Sequence, residues 1–242
     1  MKRVALLSAA AAASVLGFGW AAQARGAAPP PEIVEGETTY DDGHGFLRIA
    51  GELRNGTSRW LCSPRIEVDL LDADNKPIAV DSIVTLTRTR RGKPGPDGVY
   101  AERTWLAPGE LAPFVYLRDR RQLGGADPVT HRLRASAKPC PATPTHMAID
   151  NATTERSDSG AWTVAGAIRN DGPAGCRSPR AVIGLYRADG KLAQALAVVP
   201  DATFHQLLAP GELVRFERRA IRDPVGGSFA RVEVWGDCDR PE

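Results

Sequence analysis

The chain contains one long segment twice. Residues 34–80 align without a gap on residues 149–195, and fourteen of the aligned positions are identical. Identical positions include 51, 54 and 55 with 166, 169 and 170, and 63–65 with 178–180. Further on, 106–111 is identical to 208–213. A repeat of this length is large enough to enclose its own hydrophobic core. It therefore predicts two tandem copies of one domain rather than a solenoid of small units.

The first 24 residues have the three-part pattern of a secretory signal peptide. Lys2 and Arg3 precede an apolar run at 4–20, and a small-x-small cleavage site follows at 22–24. We expect cleavage after Ala24, a flexible leader at 25–32 and a periplasmic or secreted mature protein. An uncleaved membrane anchor is the alternative, and the cleavage site and the short run disfavour it. No later stretch has the length and apolarity of a transmembrane segment.

Cleavage changes the charge balance. Removing Lys2 and Arg3 from the 31 basic residues leaves 29, which equals the 29 acidic residues. A neutral exported protein has no electrostatic footprint for nucleic acid, so we predict no nucleic-acid partner.

The four cysteines have a regular placement in the repeat. An even count in an exported chain predicts disulfides, and four cysteines allow three pairings. Each copy has one cysteine near its Ser-Pro-Arg block and one at its end, which favours Cys62–Cys140 and Cys176–Cys238. Cys62 lies one residue closer to this block than Cys176 does. Because such a shift reverses a side chain within a strand, we expect both residues in an irregular segment before the strand.

Hydrophobic residues alternate with polar ones throughout both copies. Leu47, Ile49 and Leu53 alternate with charged residues, and the same period continues at 66–70, 162–168 and 181–185. Further strands are predicted at 78–86, 192–199, 131–137 and 230–235. Gly51 and Gly166 fall on the inward face, where a missing side chain admits a large neighbour or marks a bulge.

The fold class follows from these counts. About seven short strands per copy and no convincing amphipathic helix predict an all-β protein. We expect two tandem immunoglobulin-like antiparallel β-sandwich domains, each with one disulfide. The first domain is placed at 33–140, the proline-rich linker at 141–147 and the second domain at 148–242.

Three motifs carry a resemblance to a known family. They are a Gly-x-x-x-Asn strand end, an apolar stretch before a turn, and a Leu-x-Pro-Gly turn followed by Phe. The middle motif reads Val-Asp-Leu-Leu-Asp at 68–72 and Ile-Gly-Leu-Tyr-Arg at 183–187. The chain resembles the FxLYD domain, a β-sandwich module of exported proteins, although both copies lack the initial Phe and each departs at one further position. The resemblance implies a non-catalytic fold.

The sequence offers no catalytic or metal-binding set. The histidines His44, His131, His146 and His205 are isolated from one another, so we predict no metal and no cofactor. There is no Gly-x-Ser-x-Gly nucleophile elbow. We therefore predict that the protein is not an enzyme. A hydrolase or metal site assembled at the domain junction from histidines and carboxylates remains the least favoured alternative.

The copies differ most before residue 105, where the first copy has about 13 extra residues. This segment has a basic flank, a Gly/Pro-rich centre and a tyrosine at its exit, and long loops on rigid sandwiches commonly bind. The predicted binding residues are Arg88, Arg90, Arg91, Lys93 and Tyr100. Our hypothesis is a non-catalytic binding module whose partner is another envelope or extracellular protein with an acidic surface. The alternative is a structural spacer without a tight ligand.

Overall fold

The computed structural model describes residues 30–80, 97–200, 207–223 and 227–241. Within these ranges the chain is almost entirely antiparallel β-sheet, with one turn of 3-10 helix at Arg120–Leu123, so the predicted all-β class is confirmed. The strands of the first copy are β1 (Glu32–Ile33), β2 (Thr38–Asp41), β3 (Phe46–Arg54), β4 (Leu61–Leu71), β5 (Asp97–Tyr100), β6 (Trp105–Leu106), β7 (Leu111–Asp119) and β8 (Thr130–Pro139). Those of the second copy are β9 (Met147–Arg156), β10 (Trp162–Asn170), β11 (Cys176–Tyr186), β12 (Leu192–Val198), β13 (Leu207–Leu208), β14 (Leu213–Ile221) and β15 (Arg231–Pro241).

Each copy forms two sheets around its own core. In the first copy, β3 pairs with β7 on one edge and with β1 and β2 on the other. We call this sheet of four strands inner sheet 1. Strand β4 pairs with β8 on one edge and with β5 and β6 on the other. We call this second sheet outer sheet 1. Their facing side chains fill the first core: Leu47, Ile49, Leu53, Ile66, Val68, Leu70 and Phe114.

The second copy repeats this plan. Strand β11 pairs with β15 on one edge and with β12 and β13 on the other, forming inner sheet 2. Strand β10 lies between β9 and β14 in outer sheet 2. The second core holds Val164, Ile168, Ala181, Ile183, Leu185 and Phe216.

The two inner sheets pack against each other through the faces that point away from the two cores. Ala50 and Val115 of inner sheet 1 form a third apolar cluster with side chains of inner sheet 2. Those side chains are Tyr186, Leu192, Ala195 and Trp235. The layers therefore follow the order outer sheet 1, inner sheet 1, inner sheet 2, outer sheet 2, and the duplicated domains are stacked in a single four-layered body.

Gly51 and Gly166 both make room for a phenylalanine side chain. This confirms the prediction that the missing side chain admits a large neighbour. A Cβ on Gly51 would lie 2.8 Å from Cζ of Phe114, and a Cβ on Gly166 would lie 3.0 Å from Cε1 of Phe216. The first distance is too short for a Cβ contact, and the second is tight enough that Phe216 would have to move by a few tenths of an ångström. Gly166 also lies at a register shift between β9 and β10, so in the second copy the bulge interpretation holds as well.

The asparagine at the end of β3 in the first copy, and of β10 in the second, connects the two sheets of its copy. Asn55 is fully buried and donates through Nδ2 to the carbonyl oxygens of Arg59, at 2.7 Å, and Leu106, at 3.0 Å. Asn170 is also fully buried and donates to the carbonyl oxygens of Ala174 and Leu208, both at 2.9 Å. Each amide thus satisfies two backbone acceptors, of which the leucine carbonyl is buried, and this requires a side chain with at least two N–H donors.

The repeated Leu-Ala-Pro-Gly-Glu block forms the predicted tight turn. Gly109 and Gly211 have φ of 81° and 79°, the left-handed region that favours glycine. The glutamate after each glycine closes the turn, because its Oε2 accepts the backbone N–H at the second residue of the block.

Both predicted disulfides are confirmed, at Cys62–Cys140 and Cys176–Cys238. The prediction that Cys62 and Cys176 precede their strands is wrong, because Cys62 is the second residue of β4 and Cys176 is the first residue of β11. The irregularity comes after the cysteine instead. Ser63 and Ser178 have φ of 53° and 59°, and the pairing of β4 with β8 shifts register there. A bulge inside the strand absorbs the one-residue difference between the copies.

The prediction of a strand at 78–86 is wrong for residues 78–80, which form no strand. Residues 81–86 lie outside the described ranges. The edge of β4 is occupied instead by β5, which pairs where β12 pairs in the second copy. The extra residues of the first copy therefore precede β5.

Candidate functional site

Tyr100 is the one predicted binding residue that falls within the described ranges; Arg88, Arg90, Arg91 and Lys93 lie outside them. Tyr100 ends β5 at the edge of outer sheet 1, and it is 50% exposed. The guanidinium of Arg65, on the neighbouring strand β4, lies 6.0 Å from the centroid of its ring. Tyr100 and Arg65 thus form a cationic and aromatic surface directly after the segment 81–96.

The rest of the exposed face of outer sheet 1 carries alternating charges. Arg134 on β8 pairs with Asp69 at 2.9 Å and with Glu67 at 3.4 Å, both on β4. These side chains are partly exposed, so the pairs contribute little to stability, but they keep this face solvated.

The histidines do not assemble a reactive site in the described ranges. His131 Nε2 lies 3.3 Å from Glu37 Oε1, and the backbone N–H of His44 donates to Asp42. His205 lies outside the described ranges. Within them, no group of three His, Cys, Asp or Glu side chains is placed to hold a metal ion.

The contact between the inner sheets is a feature that the sequence interpretation missed. Three side-chain hydroxyls cross it: Tyr186 Oη donates to Glu52 Oε1 at 2.7 Å, Tyr40 Oη donates to the Ala193 carbonyl at 2.7 Å, and the Thr38 hydroxyl donates to the Leu192 carbonyl. Burial raises the pKa of Tyr186, and the hydrogen bond to Glu52 raises it further. Both tyrosines are therefore neutral donors at physiological pH.

A buried carboxylate provides a second connection between the copies. Asp237 is fully buried and accepts from the backbone N–H of Thr104 at 3.1 Å and from its hydroxyl at 3.0 Å. In its own copy it pairs with Arg180 Nη2 at 2.8 Å. Such charge-assisted hydrogen bonds are stronger than neutral ones, so they hold β15 against the first copy.

Glu102 lies near this group. Burial raises the pKa of its carboxyl group, the charge of Arg180 opposes this shift, and the negative charge of Asp237 adds to it. The junction therefore holds two carboxyl groups close to one guanidinium, and burial disfavours the ionised form of Glu102.

The sequence does contain a signal for the buried inner sheet. Residues 181–186 read Ala-Val-Ile-Gly-Leu-Tyr, and all six are buried. A strand buried on both faces reads as a continuous apolar run, whereas a strand with one solvated face alternates. The equivalent residues 66–71 of the first copy include Glu67 and Asp69 on the solvated face.

A pocket of about 490 Å³ lies where the two copies meet the linker. Its walls come from the first copy, from the linker at 141–145 and from the second copy. The described residues that line it include no His, Asp or Glu, so the histidines and carboxylates of the hydrolase or metal site considered for the junction do not converge in this pocket.

The comparisons with known proteins give no family. No protein-family model and no curated protein matches the chain. Among solved structures, red sea bream transglutaminase is similar at a TM-score of 0.25 and 11% identity, over 88% of this chain and 29% of that one. An Amycolatopsis orientalis exo-chitosanase is similar at a TM-score of 0.24 and 11% identity, over 83% and 25%. The chain spans less than a third of either structure, and likenesses this weak indicate no function.

Two findings concern the compartment. The chain has two disulfides, and disulfides persist in oxidising compartments and are rare in the cytosol. In the described part of the chain, no helix has the length and apolarity needed to cross a membrane. The predicted signal peptide at 1–24 lies outside that part.

Proposed function

We propose that this protein is a non-catalytic, exported cell-envelope protein in which two FxLYD-like sandwiches form one body that binds another protein. The proposal rests on the surface of Tyr100 and Arg65. A half-exposed tyrosine beside a guanidinium is the kind of pair found at the energetic centre of protein interfaces. The four-layered body beneath it supplies a rigid support, which lowers the ordering cost of binding.

The chemistry of the proposed partner follows from the charges that precede Tyr100 in the sequence. The preceding segment contributes Arg88, Arg90, Arg91 and Lys93 to the sequence. An acidic protein surface would complement them, with Tyr100 as the apolar anchor.

A structural spacer is the second candidate, and the stacked architecture favours it. Hydroxyl contacts and the buried Asp237 hold the two copies together, and a stiff unit of this kind can separate neighbouring elements without binding tightly.

The test is an affinity pull-down from the producing cell's own envelope extract. The bait is the mature protein 25–242, compared with a version lacking 89–95; this deletion spares β5, which begins at Asp97. The variant Arg90→Glu/Arg91→Glu reverses the predicted charge, and the matched control Arg215→Glu/Arg219→Glu reverses two arginines of outer sheet 2.

We expect the mature protein and the Arg215→Glu/Arg219→Glu control to capture the same acidic protein, and the other two baits to lose it. Equal capture by all four baits would refute the binding segment. Capture by none would favour the spacer.

A further inference from the structure

The junction pocket has properties that the proposed function does not use. It is bounded by Cys62 and Thr104 of the first copy, by Pro141 and Pro144 of the linker, and by Ala174 and Cys238 of the second copy. One cysteine of each disulfide lies in its wall, so both crosslinks help to fix its shape. Its volume of about 490 Å³ is within the range typical of sites for small organic ligands.

The lining is uncharged. Among the described residues that form it there is no Lys, Arg, Asp, Glu or His, and its polar groups are the hydroxyls of Ser63, Thr104, Thr143 and Thr145, the indole of Trp105 and the backbone. Placing an ion here would cost its hydration without a compensating charge. The pocket therefore selects neutral molecules.

Trp105 adds a specific requirement. It lines the pocket and is only 2% exposed, so nearly all of its side chain is packed against the protein. Its indole N–H is buried and has no hydrogen-bond partner among the described residues. A buried donor without an acceptor is costly, and a bound molecule that shifts the ring slightly and supplies an oxygen would remove this cost.

We propose that the junction pocket is a binding site for a small uncharged organic molecule with an apolar body and a carbonyl-type oxygen that accepts the N–H of Trp105. The apolar body fills the space between the linker prolines and Ala174. Because the walls come from both copies, the site exists only when they are stacked. It is separate from the surface around Tyr100 and does not depend on a protein partner.

The probe is Nile red, which is neutral and carries one carbonyl oxygen on an apolar ring system. Mature 25–242 with both disulfides intact should bind it saturably, with the blue-shifted emission of an apolar site. Trp105→Phe keeps an aromatic ring but removes the N–H, and we expect it to bind about fivefold more weakly. Ala174→Phe places a ring in the pocket from a partly exposed position and should abolish saturable binding.

The matched control is Trp162→Phe. Trp162 also has a buried indole N–H without a described partner, but it does not line this pocket. Its variant should bind Nile red as the parent does, and so should the version lacking 89–95, which separates this site from the proposed protein-binding surface. Non-saturable binding by the parent, unchanged binding by Ala174→Phe, or equal weakening by both tryptophan variants would overturn the proposal. Near-ultraviolet circular dichroism verifies that each variant is folded.

Discussion

Inner sheet 2 and outer sheet 1 are the equivalent sheets of the two copies, but their faces away from the core have different environments. That of inner sheet 2 is covered by the first copy, and that of outer sheet 1 is exposed to solvent. Gly184 lies beneath Trp235, which packs against the first copy. The equivalent positions of outer sheet 1 hold Asp69 and Arg134, which form an ion pair on the solvated face. The core-facing residues of β4 and β11 are alike, so the difference resides in the alternate positions. The residues between the core positions therefore decide whether a sandwich stands alone or stacks.

The opposite end of the stack shows the same effect. Ala50 pairs with Val115 on inner sheet 1, and both pack against the second copy. The equivalent pair on outer sheet 2 is Ala165 with Glu217, and Glu217 is exposed and bonded to Arg219. Charged outer faces at both ends resemble the polar caps of repeat arrays, which stop further stacking.

Exchanging a residue between the two faces gives the largest expected effect. Gly184→Asp introduces the residue that stands at the equivalent position of the first copy. A Cβ at Gly184 would lie 2.9 Å from Cη2 of Trp235, and the new carboxylate would be buried without a partner. We expect the free energy of unfolding to fall by about 3–5 kcal/mol, measured by urea denaturation with both disulfides intact.

The reverse exchange, Asp69→Gly, is the matched control. It removes a partly exposed ion pair with Arg134 on the solvated face. The expected loss is about 1 kcal/mol, mostly from placing glycine in a strand. Equal losses for Gly184→Asp and Asp69→Gly would contradict the assignment of buried and solvated faces.

The next effect concerns a feature that the copies share. Asn55→Ala removes four side-chain hydrogen bonds and Asn170→Ala removes three, and each leaves a buried leucine carbonyl oxygen unsatisfied. We expect each variant to lose about 2–3 kcal/mol in the same denaturation experiment. A loss in one copy and none in the other would show that the repeated asparagines do not have the same structural role.

A smaller effect is expected at the contact between the copies. Tyr186→Phe removes only the hydroxyl that donates to Glu52, and the expected loss is about 1–2 kcal/mol. Tyr100→Phe is the control, because Tyr100 is half-exposed, and it should change stability by less than about 0.5 kcal/mol. A neutral Tyr186→Phe would indicate that this hydroxyl does not hold the copies together.

The smallest effect is a pH dependence at the junction. Burial raises the pKa of Glu102 above its ordinary value of 4.5, so the folded protein holds this proton more tightly than the unfolded chain. The contribution of this proton to the free energy of unfolding is fully present below pH 4.5 and is lost as the pH rises through the raised pKa. Glu102→Gln cannot ionise, so its stability relative to the parent should increase over that window.

The increase should be below about 1 kcal/mol, because part of this side chain reaches solvent. Urea denaturation of parent and variant at pH 4 and pH 8 measures it. If the difference in unfolding free energy between variant and parent is constant with pH, or decreases as the pH rises, then the folded protein does not raise the pKa of Glu102.

The repeat explains how much of this fold was predictable from the sequence. Paired cysteines at equivalent places selected one of three disulfide patterns, and alternation at residues such as Leu47 and Ile49 located the core strands. The bulge at Ser63 was not predictable, because alternation does not reveal where a strand takes an extra residue. The junction pocket was not predictable either, since its walls join residues 62–63, 104–105, 141–145, 174 and 238, which no linear pattern connects.

Differential scanning calorimetry of the mature protein with both disulfides intact tests the central claim most directly. If the inner sheets hold the two sandwiches together as one body, they unfold in one cooperative transition, and the calorimetric enthalpy equals the van't Hoff enthalpy. Two resolved transitions, or a calorimetric enthalpy about twice the van't Hoff value, would mean that the copies unfold independently and would contradict the four-layered body.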